Sequence, residues 1–304
     1  MPFYPAANDA VQPAAVPGVV ACRCCPGGIS RSRRTCRYPS DMTGAEWAVC
    51  EPLLPPPAWL AGRGGRPASW CMRDVVDAIR YLTHNGPVWR ALPADFPPAG
   101  TVYWWADKWQ ADGSAERMHD DLRDRIRLAA GRQAAPTAAI IDSQSGKGSE
   151  MIARPRRGYD AGKKINGTKR HIAVDALGLL LTVLVTAASV QDRDAARPLL
   201  WNLRRAFPQI RLAWADGGYA GKLVTWAKTA LSLTVQIVKR PEDLHTFQVL
   251  PRRWVVERTL SWITRHRRTV RDYERLHGHH ETYIYWAMIT IMTRRLARRT
   301  PQTT

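Results

Sequence analysis

The first stretch of the chain shows no alternation of hydrophobic and polar positions at either helical or strand spacing. Residues 1–36 are rich in Ala, Pro, Gly, Ser and Arg, a composition that reads as a disordered extension. Periodicity begins after Tyr38. Thr43 stands as a cap with Glu46 three positions on, and Trp47, Val49, Leu53 and Leu54 supply the apolar side of a first helix that Pro55, Pro56 and Pro57 stop. A basic, glycine-rich loop follows at 62–67. A second helix is predicted over about 69–84, with Val75, Val76, Ile79 and Leu82 on one side and Asn85-Gly86-Pro87 ending it. A third covers 101 to about 110 and carries Trp104, Trp105 and Trp109. A charged fourth covers 113–130 and ends at Gly131.

Beyond Gly131 the period changes. Residues 138–142 form a short apolar run, the mark of a buried strand. Residues 170–175 and 179–185 read as two strands joined by Ala176-Leu177-Gly178. Then come a helix at 192–206, a strand at 210–216, a helix at 219–230, a strand at 233–238, a long basic helix at 251–269 and a last helix at 281–299. The fold class implied is α/β: a mixed sheet flanked by helices, preceded by a small helical, helix-turn-helix-like domain. The expected division is an extension at 1–36, a helical DNA-binding domain at 37–131, a catalytic domain at 132–276, and a C-terminal helix with a basic tail at 277–304.

Charge narrows the function. The 304 residues hold 45 basic and 26 acidic side chains, a formal net charge of +19, which favours a polyanionic partner, nucleic acid first. No run of about 18 apolar residues suggests a membrane span. The six cysteines, Cys22, Cys24, Cys25, Cys36, Cys50 and Cys71, all lie in the first quarter. That distribution reads as reduced thiols rather than a disulfide framework, and a zinc knuckle from Cys22, Cys24, Cys25 and Cys36 has the spacing of no standard finger. Val19-Val20-Ala21-Cys22 is a poor signal-peptide match, since residues 1–18 lack Lys and Arg. The expected setting is cytoplasmic and nucleoid-associated.

The candidate chemistry lies at strand ends. Asp142 ends the first strand, Asp216 the fourth, and Glu257 sits on the basic helix. Two Asp and one Glu converging from distant elements suit a hard divalent cation such as Mg²⁺, and two such ions can serve phosphodiester chemistry. The same residues also fit structural roles: a strand-end Asp caps loops, and Glu257 can pair with Arg253 or Arg258. Residues 252–275 contain eight Arg against three acidic residues, which favours phosphate clamping by Arg253, Arg258, Arg265 and Arg268. Lys163, Lys164 and Lys169 form a basic stretch near the first strand, and Arg63, Arg66 and Arg73 flank the second helix. His277, His279 and His280 read as a loop, the Trp-rich stretch 104–109 as core packing, and Asp175 as a structural turn residue.

The string from Gly158 to His171, Gly-Tyr-Asp-Ala-Gly-Lys-Lys-Ile-Asn-Gly-Thr-Lys-Arg-His, resembles a signature of bacterial insertion-sequence transposases of the DDE class, in the group called insertion sequence five. Asp142-Ser143-Gln144-Ser145 and Trp214-Ala215-Asp216-Gly217-Gly218-Tyr219 resemble that group's first and second catalytic strands. Arg253-Trp254-Val255-Val256-Glu257-Arg258-Thr259 resembles its third motif. Leu53-Leu54-Pro55, Gly65-Arg66-Pro67, Arg73-Asp74-Val75 and Thr101-Val102-Tyr103-Trp104 extend the likeness, in order, over about 38–276. The pattern departs at Leu250 and Thr264, where the wider group has an aromatic residue and a Lys.

The resemblance implies an RNase H-like catalytic domain and a triad of Asp142, Asp216 and Glu257 holding two Mg²⁺ ions, with Mn²⁺ as a substitute. It implies cleavage and transfer of double-stranded DNA at the element's terminal inverted repeats and into target DNA, by a homodimer or higher oligomer. The alternative is a catalytically silent, domesticated DNA-binding regulator.

Overall fold

The computed structural model describes Cys22, Cys25, Ser32 and residues 34–64, 68–238 and 253–299. In helix α1 (Gly44–Cys50) the Thr43 hydroxyl accepts from the Glu46 amide at 3.1 Å, as its spacing predicts. The reciprocal half of the capping box is replaced by tertiary pairing: buried Glu46 takes Arg80 Nη2 at 2.5 Å instead. Helix α2 (Met72–Asn85) buries Val75, Val76, Ile79 and Leu82 and ends at Gly86, whose φ of 66° needs a residue without a Cβ. Helices α3 (Ala99–Ala111) and α4 (Ser114–Ala129) follow.

Seven strands form one mixed sheet: β1 (Ala138–Gly148), β2 (Gly158–Asp160), β3 (Ile165–Val174), β4 (Leu180–Ala187), β5 (Leu212–Ala215), β6 (Thr234–Ile237) and β7 (Arg271–Asp272). β3 runs antiparallel between β1 and β4, while β5 and β6 continue the sheet parallel to β1. β1 extends well past its apolar run because β3 pairs with it as far as Lys147↔Gly167, so backbone pairing carries the polar residues. A Cβ on Gly167 would strike the Gly146 carbonyl oxygen and the Gly148 nitrogen, so the two backbones can approach only here without a side chain.

Both faces are covered. Helices α5 (Asp192–Ala206) and α6 (Lys222–Leu231) bury Leu199, Leu200, Leu203 and Leu223 against Ile141, Ala173 and Ala213. The opposite face packs Ile140, Ile172 and Val174 against α7 (Arg253–Thr264), α9 (His277–Ala297) and the N-terminal helices in a single apolar cluster. Trp286 of α9 is fully buried, its ring 6.0 Å from that of Trp109 on α3. The buried pair Arg127–Asp175 joins α4 to the β3–β4 turn, where Asp175 also accepts from the amides of Leu177 and Leu179. Asp175 is structural, as expected.

Three elements differ from the sequence pattern. The long basic helix is two pieces, α7 and a single turn α8 (Arg267–Val270), because Thr269 turns back and donates to the Ile263 carbonyl at 2.7 Å, an acceptor a continuing helix would have used. The last helix begins at His277, so the three histidines belong to its first turn rather than to a loop. Most of the expected 1–36 extension lies outside the described residues, but Cys22, Cys25 and Arg34 are packed against the helical region.

Candidate active site

β1 and β5 are parallel neighbours with Ile140 opposite Trp214. Two residues further along, Asp142 and Asp216 therefore lie side by side, Asp216 just past the carboxyl end of β5 and Asp142 within β1, paired with Ile172 of β3 rather than ending the strand as its apolar run implied. Asp216 caps a short 3₁₀ turn, accepting from the Gly218 amide at 2.9 Å. Glu257 comes from α7, which packs on β1 and β3, and its side chain is exposed. Asp142 feels both of the others. Burial above all, and then the charges of Asp216 and Glu257, push the Asp142 carboxyl up to about 6, against the Ser143 amide and Arg253, which pull it down. Two aspartates and a glutamate offer an all-oxygen donor set of the kind a hard divalent cation takes, so these residues fit Mg²⁺.

The other face of β1 carries a polar network absent from the sequence reading. Ser143 Oγ donates to Asp192 Oδ1 at 2.8 Å, and Lys169 Nζ lies 3.1 Å from Asp192 and 3.4 Å from Asp160. Ser145 donates to Asp160 at 2.5 Å, and that bond, with the Lys169 charge, draws the Asp160 carboxyl down to about 2. Tyr219 is buried beneath the strand ends. Its phenol is raised well above the ordinary value, by burial first and then by Asp142, Asp192 and Asp216. Ser143 and Tyr219 stood inside the quoted motifs; Asp192 had no local signal beyond its place in the first turn of a helix.

The basic residues divide into two groups. Arg253 Nη2 lies 3.2 Å from Glu257 Oε1, Arg265 is exposed beyond the end of α7, Lys163 and Lys164 are exposed on the β2–β3 turn, and Arg63 is exposed in its loop. Arg66 lies outside the described residues. Of the others, Lys169 and Arg268 are buried, which takes them from the phosphate contacts expected of them, while Arg258 and Arg73 are half-buried and bonded within the fold. Lys169 is buried between its two aspartates. Arg258 lies over the Trp254 and Trp262 rings at 4.2 and 4.6 Å and donates to the Leu177 carbonyl. Arg268 is buried on Glu274 at 2.8 Å, and Arg73 donates to the Met42 carbonyl at 2.7 Å. A buried charge needs fixed partners, and Lys169 and Arg268 find theirs within the fold. The histidines go to separate partners, the Arg156 carbonyl, Asp107 and Asp272. Trp105 and Trp109 are core residues as expected, whereas Trp104 is exposed.

Residues 133–292, more than half of the chain and all three carboxylates with them, match the family model of the transposase DDE domain. The chain belongs to the transposase DDE domain family. Residues 42–119 of the transposase match a second model, "Putative transposase of IS4/5 family". It is similar to the "Putative transposase for insertion sequence element IS402" of Burkholderia cepacia, with 31% identity over 154 residues, covering 46% of this chain and 68% of that relative. It is also similar to the "Insertion element IS402 uncharacterized 16.2 kDa protein" of the same organism, with 32% identity over 101 residues, 33% of this chain and 67% of the relative. Membership implies an enzyme acting on DNA, in a family that generally uses divalent metal ions, and nothing observed favours a silent regulator. The mixed sheet is the RNase H-like architecture that the resemblance implied. No described helix is long and apolar enough to cross a membrane.

Proposed function

We propose that this transposase cleaves and transfers DNA at the ends of its own insertion sequence, with Asp142, Asp216 and Glu257 as the triad. The observation that carries the assignment is Asp142 itself: burial first, and then the charges of Asp216 and Glu257, hold its carboxyl up at about 6 against an ordinary 3.8. A pair of Mg²⁺ ions held by these residues, or Mn²⁺ in their place, would activate the attacking oxygen and stabilise the leaving 3′ oxygen. The chain's own residues set the stage. Ser143 and the Asp192–Lys169–Asp160 network hold β1 rigid behind Asp142, and buried Tyr219 packs beneath the aspartates. Arg253, leaning on Glu257, is placed to take a backbone phosphate with paired hydrogen bonds. Arg265, Lys163 and Lys164 extend the positive surface, and the N-terminal helices with Arg63, packed on α9 in the same core, recognise the terminal repeats. Action on two DNA ends calls for a homodimer or larger assembly on the bacterial nucleoid.

The test is a set of amide substitutions. Asp142→Asn, Asp216→Asn and Glu257→Gln keep shape and remove charge, so each should abolish cleavage of end-sequence DNA while leaving binding intact. Activity should appear with Mg²⁺ or Mn²⁺ and vanish with EDTA. A variant that cuts at the normal rate in Mg²⁺ removes that residue from the triad.

A further inference from the structure

Among the described residues, the cluster of soft ligands is separate from the carboxylates. Cys22, Cys25 and Cys71 are all buried, with 3%, 3% and 1% of their surface exposed. Their sulfurs lie within 4.8 Å of one another, with Cys22 Sγ 3.6 Å from Cys71 Sγ. That separation is far longer than a disulfide bond of about 2.05 Å. It is close to the edge of a tetrahedron whose centre lies about 2.3 Å from each sulfur, roughly 3.8 Å, the geometry of a zinc thiolate site.

We propose that Cys22, Cys25 and Cys71 bind one structural zinc ion that pins the N-terminal segment to the start of α2.

The arrangement differs from that of a buried thiol used for packing. Cys50, just as buried, sets its sulfur 3.7 Å from the thioether of Met118, a neighbour that offers no thiolate to share an ion. The three clustered thiols combine a Cys-x-x-Cys pair from the N-terminal segment with a third ligand from the N-cap position of a 14-residue helix. At that position the helix dipole and unpaired backbone amides favour a thiolate. The knuckle considered from the sequence groups Cys22 and Cys25 with Cys24, which lies outside the described residues, and with Cys36, whose sulfur is turned to the Met42 carbonyl and Arg73. Its place is taken by a residue 49 positions from Cys22, a separation that no local finger pattern contains. Among the described residues no His, Asp or Glu joins the three sulfurs within 4.8 Å, and the nearby carboxylate of Asp74 is held by Ser32 at 2.6 Å.

The surroundings show what such an ion would secure. Just after the cysteines, Arg34 bonds to Asp41 at 2.7 Å, lies 3.6 Å from Asp77 on α2 and covers the Phe96 ring at 3.8 Å. Zinc would close the loop from Cys22 to Cys71 and tie this polar clasp to the helical region, so that metal binding becomes folding free energy for it. The chemistry balances without an oxidant: each thiol releases its proton to solvent as its sulfur binds the ion.

The test uses the full-length chain, purified under reducing conditions without chelators. Elemental analysis should find about one zinc per chain, released when a mercurial titrates the thiols. Replacement by Co²⁺ should produce thiolate-to-metal charge transfer and the visible bands of a tetrahedral ion. Cys22→Ser, Cys25→Ser and Cys71→Ser should each lose the metal, while Cys36→Ser and Asp142→Asn retain it, which separates this ion from any at the carboxylates. Wild-type protein that takes up neither zinc nor Co²⁺ with a thiolate spectrum overturns the proposal whether or not the variants fold. So does a Cys22–Cys71 disulfide in the purified protein, or full zinc content in Cys71→Ser.

Discussion

The guanidinium of Arg253 lies 3.2 Å from the carboxylate of Glu257, one turn further along α7, and its charge is also felt by Asp142 across the strand ends. One cation thus serves two members of the triad, and it does so at the surface, where an i,i+4 ion pair contributes little to stability.

Arg253→Ala should therefore separate folding from function. Its unfolding free energy should change by no more than about 0.5 kcal/mol. Cleavage or strand transfer should fall by at least about tenfold, the value of one charged hydrogen bond to phosphate. Chemical denaturation and an end-cleavage assay on the same preparation decide it; a parallel loss of both would make Arg253 a structural partner of Glu257.

Asp142 predicts a pH dependence of the metal-free protein. Its folded carboxyl titrates at about 6 against 3.8 for the ordinary group. Between those values the folded chain therefore holds a proton that the unfolded chain has lost. Stability must fall as pH rises through that window, by at most about 3 kcal/mol at 1.36 kcal/mol per tenfold. Calorimetry in EDTA at pH 4.5 and 7 should show Asp142→Asn losing this part of the decline and standing above the wild type at pH 7. An identical pH dependence in the two proteins would remove the crowding of charge from Asp142.

Arg268 should behave as a buried ion-pair partner. With Arg268→Ala, Glu274 is left in the interior without its guanidinium, at a cost of about 3–5 kcal/mol. Thermal unfolding should show a large drop, and DNA affinity measured well below the new midpoint should be close to normal. Weakened binding with unchanged stability would return Arg268 to the DNA surface.

The close approach of β1 and β3 gives a backbone test. Gly167→Ala places a methyl group against the Gly146 oxygen and the Gly148 nitrogen. It should destabilise the chain by about 3 kcal/mol or more. Gly100→Ala meets nothing within 4 Å and lies in the first turn of α3; it should raise stability by about 0.5–1 kcal/mol. Denaturant midpoints of the two variants should move in opposite directions.

Lys163 and Lys164 stand exposed on the β2–β3 turn. Changing both to Glu should leave stability within about 0.5 kcal/mol. It should lower the slope of log affinity against log salt by about 2 if each neutralises a phosphate. Titrations at several salt concentrations read this directly, and an unchanged slope would take the turn out of the interface.

Much of this protein was legible locally. The change from helical to strand spacing after Gly131 reflects which faces must be buried, and burial acts on each element through its own side chains; the order of helices and strands follows from it. The two aspartates were visible because each carboxylate breaks an apolar run, although β1 continues past Asp142 on its pairing with β3, and the site then follows from the parallel pairing of β1 with β5. Tertiary structure decided what charge alone leaves open. Arg253 and Arg268 are the same residue type in the same basic stretch, yet one leans on Glu257 at the surface and the other is enclosed by Glu274, Trp89 and Tyr283. Lys169, Arg258 and Arg73 were likewise drawn inward by partners distant in sequence. The break after Thr264 depends on a hydroxyl returning from Thr269, and the meeting of Cys71 with Cys22 and Cys25 depends on the fold carrying the N-terminal segment back to α2. Periodicity records which face of an element avoids water; which charged groups lose their water is settled only when distant elements meet, because that loss is tolerable only where a partner is waiting.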